Sequence, residues 1–295
     1  MKILFTGATG VLGTAAIPHL IEAGHEVVGV GRTDLDLFDR AAVGRAVAGC
    51  DAVFHFATAM PAQAEMTKRE AWRINDRLRE EATANLVDAA IEQRVSTFVQ
   101  ESVAFAYADG GAGWLDEAVP LDPPFGAIDS AMVAEAHVAR FTAQGGRGIV
   151  LRLGRLYGPG PVSGPYLEAV SARKLPLIGR GDNYVSHLHI DDAGAAVAAA
   201  LDAPAGAYNV VEDEPVTAAE EMDVLVETLG ARHPRRVPAW LARRLVGPAT
   251  GLMTVSHRVS NGRFREAAGW SPEYSSVCEG WPAIVADDRR ARMQV

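Results

Sequence analysis

The chain has 295 residues, of which 48% are apolar and 22% charged, so it has enough apolar surface for a packed core and is not a disordered chain. Its 37 acidic residues outnumber its 28 lysines and arginines, and a net charge of −9 excludes a general nucleic-acid binder because such a surface repels phosphates. The two cysteines, Cys50 and Cys278, lie far apart and near no metal-ligand partner, which favours reduced thiols and predicts no metal site.

No stretch approaches the roughly 18 apolar residues that a membrane-spanning helix needs. The segment Met1–Phe5 reaches Gly7 too soon to supply the apolar region of a signal peptide. We therefore expect a cytoplasmic protein that does not bind membranes.

The first half of the chain alternates strand and helix patterns, several of the helices ending at glycine. Strands are predicted at 2–5, 25–31, 52–56, 97–100 and 148–153, and helices at 11–23, 40–48, 68–93 and 130–143. This alternation predicts an α/β fold, a doubly wound parallel (Rossmann) sheet with helices on both faces.

The pattern becomes irregular after Tyr157, although 190–203 is expected to rejoin the first half. We therefore predict two domains and a tail. The dinucleotide-binding domain comprises 1–157 plus 186–211, a small discontinuous substrate-binding cap comprises 158–185 plus 212–288, and 289–295 form the tail.

The segment Thr6–Gly13 has the glycine spacing G-x-x-G-x-x-G directly after a predicted strand and before a predicted helix. Glycines allow a tight turn and a close approach of backbone N–H groups to a pyrophosphate, and the helix N-terminus attracts its anionic oxygens. The predicted cofactor ligands here are Gly7, Thr9, Gly10, Val11, Leu12 and Gly13.

The end of the second strand bears on the choice of cofactor, since NAD-binding folds usually place an acid there for the adenosine ribose. Arg32 stands at this position and favours a 2′-phosphate, hence NADP(H). Asp34 and Asp36 follow closely and could serve a ribose instead, so NAD stays possible.

Six further segments carry a family resemblance: 36–39, 55–58, 152–160, 187–192, 208–210 and 269–272. With the glycine loop, they resemble landmarks of the extended short-chain dehydrogenase/reductase superfamily, the NAD(P)-dependent epimerase/dehydratase family. The resemblance implies a homodimer through two long helices, one of them 68–93. It also implies that the cofactor is contacted by Asp36, Leu37, Ala57, Thr58 and Tyr157.

The same resemblance leads us to expect a Tyr-x-x-x-Lys dyad, in which the tyrosine is the general acid/base and the lysine lowers its pKa. In one register Phe125 and Asp129 occupy the two positions, and in the other Ala127 and Ala131 do. The sequence contains no Tyr-x-x-x-Lys pair in any register, because no lysine follows a tyrosine by four residues; the lysines are Lys2, Lys68 and Lys174. We predict an atypical active site.

Polar residues remain where the fourth strand ends, at the sheet edge that binds ligands in such folds. We predict that Tyr107 is the proton donor and that Ser102 assists it, with Glu101 as an alternative base. Ser102 could instead bond backbone, and Tyr107 could be a wall of the substrate site. Without a nearby cation the pKa of Tyr107 is expected near 10, so turnover is slow or the acceptor needs little acid assistance.

Other polar residues have two interpretations. Arg79 could hold an anion or pair with a surface acid, and segment 256–261 could contact substrate or form a solvated turn. His187 and His189 are expected to face opposite sides of one strand, more as structural histidines than as pocket residues. The arginines at 235–236 and 243–244 are interpreted as a solvated face.

The sequence thus predicts an atypical NAD(P)-dependent oxidoreductase or epimerase acting on a small organic substrate. Two alternatives stay open. One is a redox-neutral isomerase, lyase or cyclase that keeps the dinucleotide site, and the other is a non-catalytic NADP(H)-sensing regulator.

Overall fold

A computed structural model describes residues 1–61, 65–126 and 128–293 of the chain. Its strands are β1 Lys2–Thr6, β2 Glu26–Val30, β3 Ala52–His55, β4 Thr97–Val103, β5 Trp114–Leu115, β6 Arg147–Leu153, β7 Arg155–Tyr157, β8 Leu177–Ile178, β9 Tyr184–Val185, β10 His187–His189, β11 Gly206–Val210, β12 Val216–Thr217, β13 Arg236–Val237 and β14 Arg258–Val259. Its α-helices are α1 Val11–Glu22, α2 Arg40–Val47, α3 Arg73–Arg77, α4 Thr83–Glu92, α5 Asp129–Ala143, α6 Gly164–Ser171, α7 Ile190–Ala199, α8 Ala218–Leu229, α9 Ala239–Val246, α10 Gly251–Thr254, α11 Gly262–Ala268 and α12 Val277–Met293.

Strands β1–β4 and β6 join the later strand β11 in one six-stranded sheet in the order β11-β6-β4-β3-β1-β2, with every pair parallel. The chain passes from β1 to β2 on one side and then returns to β3 on the other side of β1. A crevice is expected where the order reverses, at the carboxyl ends of β1 and β3. The doubly wound parallel sheet predicted from the sequence is confirmed.

Both faces of the sheet are buried, as the continuous apolar strands require. Ile3 and Phe5 of β1 point into one hydrophobic cluster, which α1 and α7 cover, and Leu4 points into the other, beside α2, α4 and α5. Alternation along the strand therefore supplies two cores. Helix α7 packs against α1, so residues 190–199 do rejoin the first half of the chain.

The helix predicted at 68–93 is interrupted by changes of helical pitch. A 3₁₀ turn, Arg69–Trp72, leads into α3, and a π-helical turn, Leu78–Ala82, joins α3 to α4. The Leu78 carbonyl accepts from the Thr83 hydroxyl, and His55 Nε2 lies 3.2 Å from the same oxygen. Such π turns are often found near functional sites.

Residues from β7 onwards also build a separate hydrophobic cluster outside the sheet. Its members come from β7 and from helices α6, α8 and α12: Tyr157, Leu167, Val170, Met222, Leu225, Val226, Val277, Trp281, Ile284 and Val285. Helix α8 is fixed by a capping box, in which Thr217 and Glu220 bond each other's backbone N–H groups, and it ends at Gly230 in the left-handed region.

Helix α12 continues to Met293, so residues 289–293, which the sequence assigns to a tail, extend a helix. The division into two domains stays a prediction. No helix among the described residues has the length and apolarity to cross a bilayer.

Candidate active site

The glycine loop between β1 and α1 closes so tightly that side chains do not fit. Gly7 has φ +87°, and a Cβ on it would lie 2.6 Å from the carbonyl carbon of Phe56. A Cβ on Gly13 would lie 2.3 Å from the Gly7 oxygen, whereas one on Gly10 would lie 3.2 Å from it. Helix α1 begins at Val11 with Gly10 as its uncapped N-terminal neighbour. The loop has the shape that a bound pyrophosphate requires.

The residues after β3 lie against this loop. The Ala57 nitrogen would be 2.8 Å from a Cβ on Gly7, so the structure brings these two predicted cofactor ligands together. Thr58 follows and is exposed. The buried Asn75 of α3 accepts from the Ala59 N–H at 3.0 Å and orders this segment. Asn75 was missed by the sequence analysis, because nothing local shows that it reaches back to β3.

Thr9 reaches the end of β2, where its Oγ1 would lie 3.0 Å from a Cβ on Gly31. Arg32 is exposed beside it. The Asp34 carboxylate accepts from the Gly31 N–H at 2.8 Å. Acidic and basic groups thus stand together at this strand end, and the NADP preference stays a prediction.

The next two predicted adenosine contacts have different surroundings. Asp36 is exposed and accepts from the Phe38 N–H at 2.9 Å, which leaves its second oxygen available. Leu37 is buried in the core beneath it. Of the two, Asp36 has the accessibility that a ribose or adenine contact needs.

Glu101, the alternative base, is engaged in a buried ion pair. Arg79 Nη2 donates to its two oxygens at 2.9 and 3.2 Å, and the two side chains are only 3% and 11% exposed. Arg79 therefore pairs with a buried acid, and the expectation of a surface acid was wrong. Both carboxylate oxygens of Glu101 are thus engaged by the guanidinium, which stabilises the buried pair by charge-assisted hydrogen bonds.

Ser102 and Tyr107 belong to a second buried network. Ser102 Oγ donates to Glu135 at 2.6 Å, and Arg152 donates to the same carboxylate through Nε and Nη2 at 3.0 and 2.7 Å. Arg152 Nη1 also donates to the Tyr107 hydroxyl at 2.8 Å, and that hydroxyl donates to Asn209 Oδ1 at 2.9 Å. The Tyr107, Ser102 and Glu135 side chains therefore all have protein partners, whereas Asn209 Nδ2 has none in the described part of the chain.

Tyr107 is fully buried, and burial raises its pKa although Arg152 and the hydrogen bonds lower it. The expectation that no cation lies near Tyr107 was wrong. Its role as proton donor stays a prediction, which this enclosure does not favour. Ser102 was also considered as a hydroxyl that bonds the backbone. Its hydroxyl bonds the Glu135 side chain instead.

The positions expected to hold the dyad lie at the start of α5. Phe125 is buried against Trp72 at 6.4 Å between ring centroids, and Asp129 is the exposed first residue of the helix. In the other register, Ala131 is buried and Ala127 lies outside the described residues. The lysines do not line either of the clefts found in the described residues.

Tyr157 is enclosed among aromatic rings, 5.9 Å from His187, 5.2 Å from His189 and 4.8 Å from Trp281 between centroids. A cofactor contact would require this ring to move, so that role stays a prediction. The expectation that the two histidines face opposite sides was wrong. Residues two apart on a strand share a face, and both are buried there.

A narrow cleft opens beside the end of β4. It is lined by Ala104, Phe105, Arg155, Tyr184, Val185, Ser186, Leu252, Val255 and His257; we call it the inner cleft. Arg155 and His257 are its ionisable nitrogen groups, and burial lowers the pKa of His257. His257 Nε2 lies 2.8 Å from the Tyr107 carbonyl, which can only accept, so Nε2 carries the proton.

Segment 256–261 is therefore neither a solvated turn nor wholly a substrate site. Ser256, His257 and Asn261 are buried, and the Asn261 amide donates to the Val211 carbonyl at 2.8 Å. His257 is the member that lines the inner cleft.

Comparisons with known proteins agree with this architecture. The family model described as NAD dependent epimerase/dehydratase family matches residues 3–211. A 3-diazoavenalumate denitrifying reductase from a Streptomyces species is 38% identical over 301 aligned residues, covering 95% of this chain and 99% of the relative. A 2-alkyl-3-oxoalkanoate reductase from Stenotrophomonas maltophilia is 31% identical over 261, covering 78% and 76%.

Solved structures share the fold over nearly the whole chain. A human epimerase family protein crystallised with NADPH superimposes with a TM-score of 0.80 at 23% identity, covering 97% of this chain and 100% of the other. The UDP-glucose 4-epimerase of Thermus thermophilus, in complex with NAD, gives 0.76 at 22% identity, covering 98% and 99%.

Proposed function

Since the chain belongs to the NAD-dependent epimerase/dehydratase family, we propose that it is a nicotinamide-dependent reductase whose acceptor needs no proton from the enzyme when hydride arrives. The observation that carries this proposal is a glycine loop fit for a dinucleotide in a chain whose sequence lacks a Tyr-x-x-x-Lys pair. The relatives named above are called reductases, which supports hydride chemistry over the redox-neutral and sensing alternatives.

The proposed cofactor is NADP(H), with NAD(H) as the alternative. Gly7 and Gly10 would hold the pyrophosphate, Arg32 a 2′-phosphate, Asp36 the adenosine side, and Ala57 the far side of the loop. The exposed Arg32 and the closed geometry of the loop support this assignment. When bound, the reduced dinucleotide would supply the hydride for the reaction.

The proposed substrate carries an aromatic diazo group, in its diazonium form. The support is the 38% identity, along nearly the full length, to a reductase named for 3-diazoavenalumate and for loss of nitrogen. A hydride adds to the terminal nitrogen of the arenediazonium ion and gives an aryldiazene. The carbon–nitrogen bond of the diazene then breaks, N₂ leaves, and its hydrogen, or a proton from water, ends on the ring carbon.

This acceptor suits the site because it starts as a cation and hydride addition neutralises it. A ketone instead becomes an alkoxide, and that charge needs a positioned acid or oxyanion partner in the transition state. Ketone reduction is the second candidate, since Tyr184 and His257 line the inner cleft and the relative from Stenotrophomonas is named for a 3-oxoacid.

The test compares two acceptors with purified protein and NADPH: a diazotised aminocinnamic acid and a 2-alkyl-3-oxoalkanoate. We expect NADPH oxidation with the diazonium acid, with one arene formed per NADPH consumed, as measured by absorbance and mass spectrometry. A reaction mixture without enzyme corrects for direct reduction. Consumption with the oxoacid alone would establish the second candidate, and consumption with neither would contradict the diazonium proposal.

Gly10→Val tests whether dinucleotide binding at the glycine loop is needed for turnover. Its Cβ would sit 3.2 Å from the Gly7 oxygen, a contact that the loop can nearly accommodate, while its methyl groups would fill the space for the pyrophosphate. The control is Gly44→Val, since Gly44 lies in α2 with open space around its missing Cβ. We expect Gly10→Val to lose both dinucleotide binding and turnover with an unchanged circular dichroism spectrum, and Gly44→Val to keep both.

A further inference from the structure

Two clefts of very different size lie close together near the end of β4. The inner cleft, at Ala104 and Phe105 directly after β4, encloses about 20 Å³, which is room for one water molecule. The second, which we call the outer cleft, encloses about 640 Å³. It is lined by Ala108, Asp109, Asp122, Pro123, Pro124, Arg243, Gly247, Gly251, Thr254 and Val255. Of the two, the outer cleft alone has the size of a pocket for an organic ligand.

Helix α10 forms the wall between the two clefts. Gly251 and Thr254 line the outer cleft, whereas Leu252 and Val255 line the inner one, and Val255 reaches both. Residues three apart share one side of a helical turn, so α10 turns one side to each cleft. Ligands of such folds bind outside the carboxyl ends of the strands, where the inner cleft lies. One helical turn therefore separates a ligand in the outer cleft from this edge of the sheet.

Few polar contacts hold this wall in place. We call residues 247–254 the gate segment. Two side chains from elsewhere in the described chain hydrogen-bond to it: Arg155 Nη2 donates to the Leu252 carbonyl at 3.2 Å, and Asn183 Nδ2 donates to the Met253 carbonyl at 3.3 Å. Both bonds are long for N–H donors. The closed position of the gate segment is therefore weakly fixed by hydrogen bonds.

The apolar contacts of the gate segment are also modest. Ala249 is buried beside Trp72 and Phe125, Leu252 is half-buried, and Met253 is exposed. Local opening costs least where few apolar side chains and few hydrogen bonds are lost. The gate segment meets both conditions.

The two ends of the gate segment are held differently. Gly247 has φ +71° and ψ −150°, a conformation that is nearly restricted to glycine, and open space surrounds its missing Cβ. Ser256, just after the other end, is buried; its hydroxyl accepts from the Tyr184 N–H at 3.0 Å, and its own N–H donates to Asp109 at 3.2 Å. Gly247 thus has the properties of a hinge, and Ser256 those of a fixed anchor.

We propose that the gate segment moves about Gly247 and joins the two clefts, so that a substrate enters through the outer cleft and then reaches Ala104 and Phe105. The bond from Arg155 to the Leu252 carbonyl holds the segment in the closed position. Closure keeps water from the edge of the sheet, as lids over reacting groups do. The proposal rests on the proposed function only for the place of the reaction, since opening itself needs neither cofactor nor substrate.

The test measures how often the inner cleft becomes accessible. Ala104→Cys places a thiol at a position that is 1% exposed, and Cys278→Ser removes the exposed native thiol. Cys50 is buried, and burial raises the pKa of its thiol, so protein without the new thiol gives the background. Iodoacetamide labelling is followed by mass spectrometry. We expect the thiol at position 104 to react at least about tenfold more slowly than Cys278 does in the wild type.

Two variants should speed this labelling. Gly247→Ala strains the closed position and should raise the rate about five- to a hundredfold. Arg155→Gln removes the bond to the Leu252 carbonyl and should raise the rate about two- to tenfold. The matched controls are Gly230→Ala, which puts the same residue at a positive φ at the end of α8, and Arg243→Gln, which removes an arginine of the outer cleft. Neither control should change the rate.

Three results would overturn the gate. The thiol at position 104 could react as fast as Cys278, which would mean that the cleft is already open. Gly247→Ala or Arg155→Gln could leave the rate unchanged, which would mean that access does not depend on the gate segment. Gly230→Ala could raise the rate as much as Gly247→Ala, which would assign labelling to global unfolding. Failed diazonium reduction with labelling that follows the expected pattern would refute only the proposed function.

Discussion

We expect two exposed charges at the end of β2 to decide whether the loop prefers an adenosine with a 2′-phosphate or one with a free ribose hydroxyl. Arg32 offers a cation, and Asp34 is held next to it by its bond to the Gly31 N–H. A 2′-phosphate gains from the arginine and meets repulsion from the aspartate, whereas a ribose hydroxyl can use the aspartate. Because the preference between the two cofactors depends on these neighbouring side chains, a single substitution can test it.

We expect wild-type protein to bind NADPH more tightly than NADH and Arg32→Ala to lose this preference. A charge-assisted phosphate contact contributes about 1.5–3 kcal/mol, which corresponds to about ten- to a hundredfold in affinity. Titration of both cofactors by fluorescence measures the effect, with Arg45→Ala as control because Arg45 is an exposed arginine of α2. Equal affinities that Arg32→Ala leaves unchanged would show that this strand end does not read the 2′-phosphate.

The second prediction at this scale separates structure from catalysis at Tyr107. Its hydroxyl accepts from Arg152 and donates to Asn209, so Tyr107→Phe leaves both partners unsatisfied in the core. We expect a loss of about 1–3 kcal/mol in the free energy of unfolding and little change in kcat. If the hydroxyl is the general acid, kcat should instead fall by about 10²–10⁴.

Denaturant unfolding and turnover of the same preparation decide between these results. Tyr184→Phe is the matched variant, because Tyr184 lines the inner cleft and is only partly buried. A rate loss in Tyr184→Phe alone would indicate that the proton donor is Tyr184, in the inner cleft.

The sequence predicted where these residues lie in the fold but not which partners they bond. The sequence pattern predicted that Tyr107 follows the fourth strand, and the glycine spacing predicted the tight loop between β1 and α1. The partners of Tyr107 are 45 and 102 residues away, and the histidine that its carbonyl fixes is 150 residues away. No local pattern reports such long-range contacts.

At the scale of elements, periodicity placed the first-half strands and helices within a few residues of their observed ends. It succeeded because these elements repeat apolar residues with a regular period and end at glycines or capping residues. It could not resolve the π turn inside 68–93 or the two-residue strands after Tyr157. Pairs such as β9 with β12 carry too few residues for any period to be visible.

Strand β10 is held to α8 by a buried charged cluster, which gives an element-scale prediction. His187 Nε2 lies 3.2 Å from Glu221, and its Nδ1 lies 3.6 Å from Glu212. Burial lowers the pKa of His187, but the two carboxylates outweigh it and raise the pKa to about 9. The Tyr157 ring also packs on this imidazole and carries no charge near neutral pH, because burial raises the pKa of its hydroxyl.

A histidine whose pKa is raised on folding stabilises the protein fully below its unfolded value of 6.5, and this stability is lost as the pH rises through about 9. We expect Tm to fall across this window, with up to roughly 3 kcal/mol at stake. His187→Gln should be less stable at neutral pH and should lose the slope. His233→Gln, an exposed histidine beside Asp223, should behave as wild type, and a slope that persists in His187→Gln would exclude this cluster as its origin.

At the scale of the whole molecule, the two clusters that flank the sheet and the cluster behind Tyr157 share few elements. The glycine loop belongs to the sheet region with its two flanking clusters. One wall of the inner cleft comes from the later part of the chain. We therefore expect cofactor binding to depend on the sheet region and substrate selection to depend on how the later region is packed against it.

Trp281→Ala tests this division. Trp281 is 1% exposed at the centre of the later cluster, where it contacts the Tyr157 ring and neighbours α8. Removing its side chain leaves a cavity that destabilises this region by about 3–5 kcal/mol. We expect Trp281→Ala to show an early unfolding transition, while it keeps NADPH binding below that transition. The control is Trp240→Ala, since Trp240 is 70% exposed and its truncation should change stability by no more than about 0.5 kcal/mol. Calorimetric scans with and without NADPH measure both effects, because a ligand stabilises only the unit that binds it. A single transition that NADPH shifts as a whole would mean that the chain folds as one unit.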